Sequence, residues 1–90
     1  MNEKVFITGA SSGIGAALAI EYAKRGATLG ISARRSEKLQ GIAQQCKESG
    51  APNVFSYTLD VTNQDNSADT AKEFMAAANG IDIVIANAGV

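Results

Sequence analysis

Three features of this 90-residue chain predict an α/β fold built on a doubly wound parallel sheet. Short β-rich runs alternate with longer helical runs, and the strand starts fall about 25 residues apart. A glycine-rich stretch, ITGASSGIG (Ile7 to Gly15), joins the first strand to the first helix. Such alternation implies parallel strands joined by helical crossovers, which are right-handed in nearly all cases. The expected order is β-α-β-α-β-α-β with strands arranged 3-2-1-4. The first two helices then cover one face and the third covers the other.

The strands are read at Lys4–Thr8, Thr28–Ala33, Asn53–Leu59 and Ile81–Ala86, all rich in β-branched or aromatic residues. In the fourth, Ile81, Ile83 and Ile85 alternate with Asp82, Val84 and Ala86. So apolar a strand suits a sheet covered on both faces. The first helix is expected from about Gly13 to Arg25, with Ile14, Ala17, Leu18 and Tyr22 on its inner stripe and Gly26 as its stop. The second follows Ser36 as N-cap, places Leu39, Ile42, Ala43 and Cys46 on one face, and ends at Gly50 and Pro52. The third begins near Thr62, with Asp65 completing an approximate capping box. Its inner face is Ala68, Ala71, Phe74, Met75 and Ala78, and Gly80 closes it. Their place on helical stripes makes Cys46 and Met75 core residues rather than redox or ligand-binding groups.

Composition narrows the function. Apolar residues at 46% and charged residues at 19% fit a single soluble globular domain. Eight basic against nine acidic residues give a net charge of −1, which carries no electrostatic footprint for nucleic acid or an anionic membrane. No apolar run approaches the ~20 residues of a bilayer span. The N-terminal MNEKVFITG has no export signal, so a cytoplasmic location is expected. The single cysteine, Cys46, excludes an internal disulfide and a multi-cysteine metal site. The absence of histidine removes the commonest general base, any Ser-His-Asp arrangement and most zinc chemistry.

The glycine turn marks the site. A helix beginning at Gly13 points amides that lack intrahelical acceptors, and a partial positive charge, into the crevice where strand order reverses. Phosphate is the usual occupant of such a place. Gly9 lets the strand turn, Gly13 lets a pyrophosphate touch the backbone, and Gly15 lets the helix pack on the sheet. The spacing is G-x-x-x-G-x-G rather than G-x-G-x-x-G, and no Lys-Ser/Thr pair follows as a P-loop requires. The competing reading is a turn whose glycines are purely structural.

TGASSGIG (Thr8–Gly15), LDVT (Leu59–Thr62) and ANAGV (Ala86–Val90) together resemble the short-chain dehydrogenase/reductase family in type, order and approximate spacing, over the entire chain. The resemblance implies a Rossmann-like sheet, here incomplete, with residues 1–90 as the N-terminal dinucleotide-binding half of one domain. It implies that Gly9, Gly13, Ile14 and Gly15 line the pyrophosphate, with Ser11 and Ser12 in the same loop. Asp60 would accept a hydrogen bond from the adenine amino group, and the Val61 backbone would contact the ring. Asp60 could equally serve as a charge at a helix N-terminus. Asn87, Ala88 and Gly89 would lie beside the adenosine ribose; for Asn87, bracing the fourth strand against the turn is an equal alternative.

The end of the second strand distinguishes the cofactors. An NAD site places Asp or Glu about 20 residues beyond the glycines to hold the ribose 2′-hydroxyl. Here GISARR puts Ala33 at that position, followed by Arg34. A carboxylate there would repel a 2′-phosphate by up to about 4 kcal/mol at an effective dielectric near 20. Arg34 instead supplies a charge-assisted hydrogen bond, and Ser11 can donate across the crevice. Arg35 is the weaker candidate, since adjacent strand residues point opposite ways. NADP is therefore expected over NAD, against the alternative that Arg34 and Arg35 are a solvated basic pair.

The family's catalytic group, a tyrosine with a lysine four residues on plus a serine and an asparagine, has no match here. Position i+4 from Tyr22 is Gly26, and from Tyr57 it is Val61. No catalytic or metal residue is assigned. An apolar fourth strand with an open edge is a liability, so the chain is expected to be part of a longer reductase, inactive alone. Its parent would transfer hydride between NADPH and a small-molecule carbonyl or alcohol. The alternative is a non-catalytic nucleotide-binding or regulatory module. A homo-oligomer is expected only by analogy with the family.

Overall fold

The computed structural model describes residues 3–10, 13–58 and 64–86, with side chains from residue 69 onward in the last segment. Strands and helices alternate as β1 (Lys4–Thr8), α1 (Gly13–Lys24), β2 (Thr28–Ala33), α2 (Ser36–Ser49), β3 (Val54–Thr58), α3 (Gln64–Ala78) and β4 (Ile83–Ala86). All pairings are parallel and the order is β3-β2-β1-β4, the arrangement that the alternation predicts. Registers run from Lys4↔Thr28 to Thr8↔Ser32, from Leu29↔Val54 to Ala33↔Thr58, and from Val5↔Ile83 to Thr8↔Ala86. Strand order thus reverses between β1 and β4, opening the crevice at their C-terminal ends.

Side chains alternate across the pleat. Val5, Ile7, Leu29, Ile31 and Ala33 face α1 and α2 and form one buried cluster with Ala19, Ala23, Leu39, Ala43 and Cys46. Phe6, Gly30 and Phe55 share a row on the opposite face, beneath α3. There Phe74 is fully buried, with its ring centroid 5.6 Å from Phe6 and 6.0 Å from Phe55. A Cβ on Gly30 would lie 2.5 Å from the Phe74 ring and 2.8 Å from that of Phe6. Gly30 is what lets α3 lie so low on the sheet.

Several local expectations change. The buried line of α1 is Gly15, Ala19 and Ala23, rather than the stripe through Ile14, Ala17, Leu18 and Tyr22. Small residues bring the helix axis nearest the sheet, so Leu18 and Tyr22 flank the contact, half-buried, while Ile14 is 72% exposed. On α3 the buried residues among those with described side chains are Thr70 and Phe74. Met75, expected inside, is 45% exposed because one large ring already fills the gap over Gly30. Ala71 and Ala78 are half-buried, and the side chain of Ala68 lies outside those described. The N-cap of α2 is Arg35, not Ser36: its carbonyl already accepts the Leu39 amide at 3.1 Å, and it makes no side-chain cap. The Thr62 cap of α3 lies outside the described residues.

Helix ends follow one rule. In α1, α2 and α3 the amides of Ala27, Ala51 and Gly80 reach back to the carbonyls of Tyr22, Cys46 and Met75. These are the six-to-one bonds of the Schellman motif. In α3 the left-handed residue is Asn79 (φ 65°) rather than a glycine.

β4 departs furthest from expectation. It begins at Ile83, because Asp82 is taken up by Lys4: the Lys4 amide donates to Asp82 Oδ2 and the Asp82 amide to the Lys4 carbonyl, both at 2.8 Å. Lys4 Nζ adds a bond to the Asn79 carbonyl at 3.1 Å. Ile83 and Ile85 are half-buried against the α1/α2 cluster, yet Val84 is 57% exposed. Apolar composition predicted cover on both faces; among the described residues only one face has it.

Candidate functional site

β1 delivers the chain to the crevice at Thr8, where Gly9 turns it with φ 65°. Ala10 is completely buried, and its amide donates to the Ser32 carbonyl at 3.0 Å. α1 then starts at Gly13, with φ 58° and no atom within 4 Å of where a Cβ would stand. Positive φ is nearly free for glycine and costs other residues strain. Gly15, two residues on, is buried. Gly9 therefore makes a bend, Gly13 leaves an open position at the helix start, and Gly15 is enclosed.

The amides of the first turn of α1 have no acceptors inside the helix. No acidic residue lies in that turn, so the positive end of the helix dipole is not offset there by a carboxylate. Ile14 projects an apolar side chain into solvent beside it. An open glycine, a helix start with no acidic residue in its first turn and an exposed aliphatic group fit a ligand that is anionic in one part and flat or apolar in another. A dinucleotide has both parts, and the surroundings of Gly13 leave room for its backbone contact.

At the end of β2, Ala33 is buried, whereas Arg34 and Arg35 are exposed. A cavity of ≈ 320 Å³ opens beside them, lined by Arg35, Ser36, Glu37 and Lys38. Sequence reasoning favoured Arg34 and treated Arg35 as secondary, yet it is Arg35 that lines this cavity. Lys38 lines it as well, because the i, i+3 spacing from Arg35 at the helix start brings the two cations to one side. Glu37 adds an opposing charge in the same turn.

Ser11, Ser12, Asp60, Val61, Asn87, Ala88 and Gly89 lie outside the described residues. Of the described candidates, Gly9 follows β1, Gly13, Ile14 and Gly15 open α1, and Arg34 follows β2; the Ala10–Ser32 bond ties the turn after β1 to the end of β2. The two remaining chemically notable groups lie elsewhere. Cys46 is buried in α2, and burial pushes its thiol up to about 11. Tyr57, in β3, is raised by burial and then by the charge of Glu73. Among the described residues, no helix is long and apolar enough to cross a membrane.

Comparison with known proteins agrees with this geometry. The profile of the short chain dehydrogenase family matches residues 3–90. Among curated proteins, the 11-beta-hydroxysteroid dehydrogenase A of Sesamum indicum is 42% identical over 86 residues, which is 96% of this chain and 25% of the relative. A hydroxysteroid 11-beta-dehydrogenase 1-like protein of Xenopus tropicalis is 38% identical, covering 96% of this chain and 30% of its own. Among solved structures, the apo-form glucose dehydrogenase of Caenorhabditis elegans superposes with a TM-score of 0.86 at 32% identity, covering 94% of this chain and 37% of that one. The hydroxysteroid dehydrogenase of Escherichia coli gives 0.88 at 26% identity, covering 97% and 35%. The chain spans between a quarter and three-tenths of the length of these two curated relatives.

Proposed function

Since the chain belongs to the short-chain dehydrogenase family, we propose that it forms the NADP(H)-binding portion of an oxidoreductase acting on a carbonyl or alcohol group. The observation that carries the cofactor choice is the end of β2. Ala33 stands buried where an NAD site has a carboxylate, and exposed Arg34 and Arg35 follow it. A guanidinium bonded to the 2′-phosphate contributes roughly 1.5–3 kcal/mol, or about one to two decades in affinity.

In this reading the first turn of α1 holds the pyrophosphate through its amides, Gly9 and Gly13 keep side chains out of the way, and Ile14 gives apolar cover. Arg34 and Arg35 neutralise the 2′-phosphate. The bound nicotinamide would supply hydride exchange with the substrate carbon. The substrate class is a secondary alcohol or its ketone, in keeping with the hydroxysteroid dehydrogenases among the relatives.

The test is a fluorescence titration of the full-length protein with NADPH and NADH. NADPH is expected to bind about tenfold or more tightly. Replacing Ala33 with Asp and Arg34 with Ser should shift the preference toward NADH. Equal affinities in the unaltered protein, or a ratio untouched by the double substitution, would refute the assignment. A second reading is a nucleotide-binding module without chemistry. Tight NADPH binding without turnover of any ketone or secondary alcohol would favour it.

A further inference from the structure

The two halves of the candidate site come from different loops, and one residue joins them. Ala10 lies two residues beyond Thr8, the last residue of β1, yet its amide donates to Ser32, the residue that pairs with Thr8. The ladder between β1 and β2 therefore continues into the glycine turn. Ala33 and Arg34 follow Ser32 directly. The methyl of Ala10 is completely buried in the same apolar cluster as Ala33, Ala19 and Leu39. A residue with its side chain sealed in and its amide already engaged is not a ligand contact. It is, however, the connection between the turn that receives the phosphates and the strand end that reads the ribose.

We infer that Ala10 is a positioning residue for cofactor selectivity: its buried methyl and its bond to Ser32 fix the span between the glycine turn and Arg34. This rests on the NADP(H) reading above. The physical reason is the steepness of hydrogen bonding with distance and angle. A turn shifted outward carries the pyrophosphate, and with it the 2′-phosphate, away from Arg34. NADPH loses a charge-assisted bond that NADH never made. A core this closely packed has no slack for a bulkier side chain at position 10, so the turn must move.

The experiment measures dissociation constants for NADPH and NADH in the full-length protein and in Ala10→Val, with circular dichroism to verify folding. Ala10→Val is expected to weaken NADPH about tenfold and NADH about threefold or less, so that the selectivity ratio falls. In an Arg34→Ala background the same substitution should lower the ratio less, because the distinguishing bond that depends most on the span is already gone. Should Ala10→Val fail to fold, Ala10→Gly keeps the amide, removes the methyl and is expected to lower the ratio about twofold to threefold by loosening the turn. Equal weakening of both cofactors by Ala10→Val, an unchanged ratio in Ala10→Gly, or a ratio that falls as far without Arg34 as with it would overturn the inference alone. An unaltered protein that binds NADPH no better than NADH would overturn the cofactor reading, and this inference with it.

Discussion

The two faces of the sheet are built on opposite plans. Beneath α1 and α2 the core is assembled from many modest side chains: alanines on α1, Leu39, Ala43 and Cys46 on α2, and aliphatic residues on the strands. Beneath α3 a single phenylalanine from the helix settles onto a glycine and meets rings from β1 and β3. The first plan spreads its energy over many contacts and lets α1 sit close enough for its N-terminus to address the crevice. The second concentrates its energy in one knob and one hole. Damage should therefore be graded on the first face and abrupt on the second.

Three substitutions sharpen or break that contrast. Phe74→Ala is expected to cost the most, about 3–5 kcal/mol, since it empties the space shared with Phe6 and Phe55. Urea unfolding should register the loss, and a cost below that of Leu39→Ala would erase the difference between the faces. Gly30→Ala comes next, at about 1–3 kcal/mol, because its methyl would collide with two rings. The companion change Phe74→Leu should recover part of that loss when the two are combined. Simple additivity would show that the ring is not what Gly30 accommodates.

The smallest effect tests the α1/α2 face through Cys46. Burial moves its thiol from 9.0 to about 11. Between those values the unfolded chain has released its proton while the folded chain still holds it, so stability falls as pH rises through the window. Near pH 10 the loss is about 1 kcal/mol. Cys46→Ala should flatten that part of the pH profile relative to the unaltered protein. A profile of the same slope would mean that the thiol reaches water and the face is less sealed than it looks.

Much of this architecture was readable from the residues, and the misses share a cause. β1 and β2 are bounded as the β-branched runs indicate, and the strand order is that of the doubly wound sheet to which the alternation points. The stripe of α1 was misread because hydrophobicity ranks Ile14 and Leu18 above Gly15 and Ala19, while close approach to a sheet selects the smaller residues. Met75 was misplaced for a related reason: periodicity shows which residues share a side, not how much room one ring has taken. At the site, the glycine turn announced itself by composition. The Arg35–Lys38 lining and the Ala10–Ser32 bond did not, since each depends on where a second element lies.

Lys4 holds β4 through bonds that span 78 and 75 residues of sequence. Closing so long a loop before the intervening chain has condensed carries an entropic penalty that a few polar contacts cannot offset. Topology accordingly places the pairing of β4 with β1 after β1, β2 and β3 have come together through shorter closures. The crevice between β1 and β4 therefore takes shape only once β4 has paired, later than the face that α1 and α2 cover.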